Sequence, residues 1–226
     1  MIITLMGAPG SGKGTQGRSL ASSLGVPYLA SGDLIRRAMA ERSRWGEQVR
    51  SYIERGLYIP DADIVPVFLQ ALIATRPAGS RMGGVLDGFP RTTEQALALD
   101  RALSGFVPPE DQIALVLDVP ADVLIARLSG RWLCSGCNAS YNVQSHPPIM
   151  VGVCDGCGRA LMQRVDDRRD TIQERLLVYE ASTRPVVDFY ASRGSLKHVN
   201  GDEAELKVRE SLLIAARSAL AVSRYL

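Results

Sequence analysis

The sequence predicts an α/β fold: a parallel sheet with helices on both faces, interrupted by one small inserted module. Three observations carry this. Short apolar runs alternate with segments of helical periodicity along most of the chain. The first apolar run, Ile2–Met6, passes directly into a glycine-rich turn that opens a helix. The alternation then stops between Gly130 and about Asp167, where all the cysteines lie. Strands that alternate with helices are expected to run parallel, joined by crossovers that cover both faces of the sheet.

Along the chain, Ile2–Met6 reads as a buried strand and Lys13 to Leu24 as a helix. Pro27–Ala30 is a weak strand, and Ser31-Gly32-Asp33 a helix entry in which Ser31 or Asp33 can cap free N–H groups. Leu34, Ile35, Ala38 and Met39 continue at helical spacing, and Gly46 and Gly56 punctuate the next segment. Pro60-Asp61 starts a helix carrying Val65, Phe68, Leu69, Leu72 and Ile73. Gly83–Leu86 is a buried strand ending at Asp87-Gly88, Thr92–Leu103 a helix, Ile113–Val119 the clearest strand, and Ala121–Leu128 a short helix. After the insert come a long helix from Arg168, a break at Pro185, a weak strand Leu196–Val199 and a last helix from about Glu203 to Val222.

Composition narrows the function. The chain has 226 residues, 46% of them hydrophobic and 22% charged, enough for a sizeable core. The net charge of +2 gives no electrostatic case for a nucleic-acid or membrane partner. No run reaches the ~18 apolar residues of a membrane span, and the start MIITLM lacks the basic region of a signal peptide; a cytoplasmic protein is expected. Of the 26 basic residues only Lys13, Lys197 and Lys207 are lysines, so Lys13 stands alone across the first 196 positions.

Lys13 lies in Gly7-Ala8-Pro9-Gly10-Ser11-Gly12-Lys13-Gly14-Thr15, between a strand and a helix. That is the setting of a phosphate-binding loop. Glycines let successive N–H groups turn toward phosphate oxygens, the helix N-terminus adds partial positive charge, and a lysine neutralises the β- and γ-phosphates. One departure from the general pattern is that the hydroxyl comes one place late, at Thr15, after Gly14. Asp87, at the carboxyl end of a buried strand, is placed to hold the shell of a Mg²⁺ ion through water. Its alternative is a turn acid before Gly88. Gln95, with a donor and an acceptor, can read an adenine edge; read alone it is an exposed helix residue.

Cys134-Ser-Gly-Cys137 and Cys154-Asp-Gly-Cys157 form two CxxC pairs separated by sixteen residues. This spacing suits a closed, structural Cys₄ zinc site. Gly136 and Gly156 are expected to permit the tight knuckle turns. A unit of about 38 residues has little core of its own, which favours a metal staple. A redox dithiol pair and iron are the alternatives.

Together GAPGSGKGT, SGDLIR, LDGFPR and the late RVDD resemble the adenylate kinases, within the nucleoside monophosphate kinases, from Met1 to about Gly201. The resemblance implies a three-layer phosphate-loop fold with a five-stranded parallel sheet. Residues 1–29, 60–129 and 168–226 would be the core, 30–59 a helical monophosphate-binding segment, and 130–167 a zinc-ribbon-like lid. It implies an ATP site of Gly10, Ser11, Gly12, Lys13, Gly14, Thr15, Arg127, Arg131, Ser140, Tyr141 and Glu203. It implies an AMP site of Ser31, Arg36, Leu57, Tyr58, Ile59, Gly88, Phe89, Pro90, Arg91, Gln95, Arg164 and Arg175. Ser31 stands where many relatives have threonine, so the hydroxyl is kept.

The acceptor phosphate is already ionised, so no general base is required. Charge neutralisation by Lys13, Asp87-held Mg²⁺ and Arg36, Arg91, Arg127, Arg131, Arg164 and Arg175 is expected to carry catalysis. Arg127 and Arg131 are spaced as i and i+4, so both are expected on one helix face. Asp166 and Asp167 are expected to orient arginines by ion pairing. Trp132 and Tyr141 fit either the donor base or the knuckles. The resemblance implies a monomer acting on ATP, AMP and ADP. A different donor such as GTP would share almost every motif. A UMP or CMP kinase would usually have a short lid. A switch NTPase with a zinc-ribbon interaction module would leave SGDLIR and Gln95 unexplained.

Overall fold

The structure is a computed structural model and describes residues 1–75, 82–137, 139–143 and 145–223. Its strands are β1 (Ile2–Met6), β2 (Tyr28–Ala30), β3 (Gly84–Asp87), β4 (Gln112–Asp118), β5 (Arg131–Cys134), β6 (Ser140–Asn142), β7 (Leu161–Met162) and β8 (Leu196–Asn200). Its helices are α1 (Lys13–Leu24), α2 (Ser31–Ala40), α3 (Arg44–Glu54), α4 (Asp61–Ala74), α5 (Thr93–Leu103), α6 (Ala121–Ser129), α7 (Arg169–Val178), α8 (Arg184–Ser192) and α9 (Glu205–Ser223). Five strands form one parallel sheet in the order β2-β3-β1-β4-β8.

Strand alternation divides the core into two faces. Ile3, Leu5, Leu115 and Leu117 face α1 and α9, against Leu20, Ala21, Val208 and Leu212. On the other face, Ile2 and Leu86 pack with Phe68 and Leu72 of α4 and Leu99 of α5. Nearby, Met6, Ala114 and Val116 meet Val186, Val187 and Tyr190 of α8. Burial on both faces explains why β1 and β4 read as continuous apolar runs. The carboxyl ends of β1, β2, β3 and β4 lie on one edge, where a parallel sheet opens a ligand crevice.

Four local expectations are corrected. Ser31 and Asp33 do not cap α2: the N-cap is Ala30, and it has no side-chain bond. Gly46 is no break but sits buried in the first turn of α3, where a Cβ would come within 2.2 Å of the Ala38 carbonyl oxygen. Glycine is used there for close helix packing. Pro185 does not break the chain either. A π turn at Tyr179–Thr183 joins α7 to α8, and Pro185 falls in the first turn of α8, where its missing N–H costs nothing. Finally, α6 ends at Ser129, so Arg127 is helical while Arg131 lies on β5.

The insert is a three-stranded antiparallel sheet, β6-β5-β7, with its own core of Cys134, Tyr141, Cys154 and Leu161. No helix among the described residues is long and apolar enough to cross a membrane.

Candidate active site

The phosphate loop begins where β1 ends. Gly7, Gly10 and Gly12 all have positive φ (138°, 88° and 93°), a conformation that disfavours other residues. Lys13 folds back over the loop, and its Nζ donates to Gly7 O at 2.6 Å, Ala8 O at 2.9 Å and Ser11 Oγ at 3.3 Å. The ammonium thus bridges the start and the end of the loop. Burial lowers its pKa to about 8, with Arg91, Arg175 and Arg131 adding to the shift and Asp87 opposing it. The lysine therefore stands in a field already crowded with cations, one suited to a polyanion.

Asp87 closes β3 beside this loop. The Tyr28 hydroxyl donates to its Oδ2 at 2.6 Å. Burial, then the Asp87 charge, hold the Tyr28 phenol protonated far above its ordinary range. Arg18 lies over the Tyr28 ring, 4.6 Å from its centre, and pairs with Asp33. Asp33 in turn holds Arg36 at 2.5 Å. Burial works against the Asp33 charge, but Arg36 and Arg18 outweigh it and hold the carboxyl below the usual range.

An open cleft lies between the sheet edge and α2–α4. Ser31, Leu57, Tyr58, Ile59, Gly88, Arg91 and Gln95 line it, together with Ile35, Ile53 and Ile64. Apolar walls with a few convergent polar groups are the form of a small-molecule site. Ser31 Oγ donates to Gly88 O at 2.7 Å, and Arg91 Nε donates to the same oxygen at 2.7 Å. Arg91 also lies 4.8 Å from the Tyr58 ring centre. Phe89 instead turns into the core, stacked on Phe68 with centroids 4.1 Å apart, and Pro90 is buried beside it.

The arginines from the two ends of the insert meet over this edge. Asp167, 1% exposed, accepts both Arg131 nitrogens at 2.6 and 2.7 Å and Arg175 Nη1 at 2.9 Å. Arg175 also pairs with Asp166 at 3.0 Å. Burial opposes the Asp166 charge, and Arg175, Arg164 and Arg131 overcome it, holding the acid below its usual range. Arg164 has a different environment. Its Nε is buried without a partner among the described residues, and burial, then Arg131 and Arg36, lowers its pKa to about 9. A guanidinium with an unanswered donor, set among other guanidiniums, suits an anionic ligand. Arg127 stands apart, bonded to Gly201 O at 3.0 Å and Asp202 at 3.3 Å. Glu203 lies exposed just before α9, and Ser140 is exposed on β6.

In the insert, the four Sγ atoms lie within 4.8 Å of one another. A tetrahedral zinc with Zn–S near 2.3 Å requires sulfurs about 3.8 Å apart, so the donor set fits the metal. The N–H groups of Gly136 and Cys137 donate to Cys134 Sγ at 3.3 and 3.4 Å. Such bonds stabilise a thiolate. The knuckle turns thus aim N–H groups at sulfur, as expected. Gly136 and Gly156 do not have positive φ; Gly158 does, at 69°. A Cβ at Gly136 would lie 2.3 Å from Arg159 Cδ, so that glycine makes room for a side chain. The Tyr141 hydroxyl sits 3.4 Å from Cys154 Sγ and accepts the Asp155 N–H at 2.9 Å, which puts this ring over the knuckle.

A sequence model of adenylate kinase matches residues 5–195. The chain is 43% identical over 201 residues to an adenylate kinase of Thermodesulfovibrio yellowstonii, covering 89% of this chain and 92% of the relative. It is 40% identical over 204 residues to one of Moorella thermoacetica, covering 90% and 92%. It is 37% identical over 217 residues to one of Desulforamulus reducens, covering 96% and 100%. The chain belongs to the adenylate kinase family. It is a phosphotransferase whose substrates are ATP, AMP and ADP.

Four residues of this adenylate kinase site escape a sequence reading. Tyr28 holds Asp87. Asp61, the first residue of α4, accepts Gln95 Nε2 at 2.5 Å and the Thr92 hydroxyl at 2.7 Å. Thr183, delivered by the π turn, bonds Tyr58 OH at 2.8 Å and donates to Arg91 O at 3.0 Å. For Asp61 the signal is its place after Pro60 at a helix start. Nothing local marks Tyr28 or Thr183, while Thr92, three residues before Gln95, carries the signature of a helix N-cap.

Proposed function

We propose that this chain interconverts ATP and AMP with two ADP by direct, Mg²⁺-dependent transfer between two nucleotides bound on one sheet edge. The observation that carries this is the pairing of a lysine-closed phosphate loop with a separate, carboxamide-bearing apolar cleft, joined by a set of arginines. A switch NTPase would have no use for the second cleft.

The donor phosphates would lie in the loop Gly10–Thr15, with Lys13 at the β- and γ-phosphates and Arg127, Arg131, Ser140 and Glu203 completing the donor site; Tyr141, buried against the cysteines, would serve the knuckle instead. The acceptor would lie in the cleft, with its phosphate met by Arg36, Arg91, Arg164 and Arg175. Asp87 would hold the water shell of Mg²⁺, and its carboxylate beside the phosphate loop suits that ion. When bound, Mg²⁺ would supply charge neutralisation for the transferring phosphate. Asp167 keeps Arg131 and Arg175 aimed at the gap between the sites, so their charge is in place before transfer begins. No side chain needs to take a proton from an ionised phosphate acceptor.

The division into a core of 1–29, 60–129 and 168–226, a monophosphate segment 30–59 and a lid 130–167 is supported by the separate hydrophobic clusters of the α2–α4 region and the insert. The four cysteines would carry structural zinc, since a closed shell leaves no position for substrate. A monomer in the cytoplasm, with no nucleic-acid or membrane partner, completes the proposal. The direct test incubates ATP, and separately GTP, with AMP, GMP, CMP or UMP and separates the diphosphates by chromatography. ADP formed in twofold yield from ATP and AMP is expected; no transfer to any monophosphate would refute the reading.

A further inference from the structure

We infer that Asp61 is a positioning residue for acceptor selectivity, fixing which way round the Gln95 carboxamide faces. This rests on the reading of the cleft as the acceptor-base site. A carboxamide has nearly the same shape after a half-turn, so shape cannot choose between its oxygen and its nitrogen; only its hydrogen-bond partners can. Here the partners leave no freedom. The Arg91 backbone N–H can only donate, and it meets Gln95 Oε1 at 2.8 Å. The Asp61 carboxylate can only accept, and it meets Gln95 Nε2 at 2.5 Å. A half-turn would set donor against donor and oxygen against oxygen at once.

Asp61 is itself held. Its other oxygen accepts the Thr92 hydroxyl at 2.7 Å, and Thr92 Oγ1 accepts the Gln95 backbone N–H at 3.1 Å. The direction of each bond in this closed loop is therefore set. Gln95 is 2% exposed, so water cannot readily stand in for either partner. One N–H and one lone pair of the carboxamide remain uncommitted.

Base chemistry gives this fixed orientation a consequence. Adenine presents an acceptor at N1 and a donor at N6. Hypoxanthine and guanine present the reverse, a donor at N1 and an acceptor at O6. A carboxamide free to turn would read both edges. One held in a single orientation reads one of them, and the other base leaves polar groups facing their own kind, which is how a polar site rejects an analogue.

The test compares wild type with Asp61→Asn and Asp61→Ala, using AMP and IMP as acceptors at saturating ATP. Asparagine keeps the volume but can offer Gln95 either its oxygen or its NH₂; alanine removes the acceptor altogether. The kcat/KM ratio of AMP to IMP is expected to fall about tenfold or more in both variants. KM for AMP should rise, while KM for ATP stays near wild type. A ratio within about threefold of wild type in both variants would overturn the inference. So would a parallel loss of AMP and ATP affinity with lowered melting, which marks a structural role. Wild type that transfers to IMP as readily as to AMP would overturn it while leaving phosphotransfer intact. Wild type that fails to phosphorylate AMP would remove the functional reading itself, and this inference with it.

Discussion

Two glycine-rich turns in this molecule are held in opposite ways. The phosphate loop hangs between β1, whose residues are all buried, and α1, which packs Leu20 and Ala21 into the largest cluster. Its shape is fixed by the sheet, so it can wait for a ligand that comes and goes. The cysteine knuckles hang on a sheet whose core, among the described residues, is the small cluster of Cys134, Tyr141, Cys154 and Leu161. A metal bound there would have to stay, because metal binding and folding would be one free energy. A rigid surrounding permits a transient ligand; a thin one requires a permanent one.

The sharpest way to break this contrast is Lys13→Met. Turnover should drop by about 10²–10³, the scale of removing a preorganised charge from a transferring group, with the fold kept because Lys13 belongs to none of the hydrophobic clusters. A folded variant with near-normal turnover would mean the loop does not hold the phosphates. Gln95→Leu comes next. It removes a base-edge contact worth ~1–3 kcal/mol, so kcat/KM for AMP should fall while KM for ATP is untouched; unchanged AMP kinetics would return Gln95 to a structural role.

The titration of Lys13 sharpens the phosphate side. Its pKa of about 8 in the free chain is depressed chiefly by burial, and bound phosphate must raise it. Below pH 8 the charge is present and the attraction complete. As pH climbs from 8 toward the bound-state pKa, ATP affinity should weaken, by up to about tenfold per unit, and binding should take up a proton. Calorimetry in two buffers of different ionisation enthalpy would show that uptake; Lys13→Arg should abolish it. The smallest expected change in turnover concerns the lid. Stepwise release of its metal with a thiol reagent, Mg²⁺ in excess, should lower melting first and turnover only several-fold, through misplaced Arg131 and Arg164. Turnover falling to background in proportion to metal lost, with melting constant, would give the metal a chemical role.

Features written within a few residues were legible in the sequence. The loop from Gly7 to Thr15 and the two CxxC pairs each carry their geometry locally. Contacts that close only in three dimensions were not legible. Tyr28 reaches Asp87 across 59 positions and Asp61 reaches Gln95 across 34, and neither leaves a spacing to read. Arg127 and Arg131 misled for a related reason. The i, i+4 rule assumes one helix, and α6 stops at Ser129 between them. Gln95 reads as an exposed helix position because the α5 pattern is silent on α4, whose first residue covers it.

The π turn at Tyr179–Thr183 carries one residue more than an α-helical turn would need. Removing a single residue there would let the segment close as a regular α-helix, with α7 and α8 keeping their phases, because the wider turn is what absorbs the extra residue. Val186, Val187 and Tyr190 would stay against the sheet, but the bulge that brings Thr183 under Arg91 and Tyr58 would be gone. A one-residue deletion there would thus spare the wall of the core and still disturb the acceptor cleft. The length of this segment is therefore a constraint in itself, separate from which amino acids fill it.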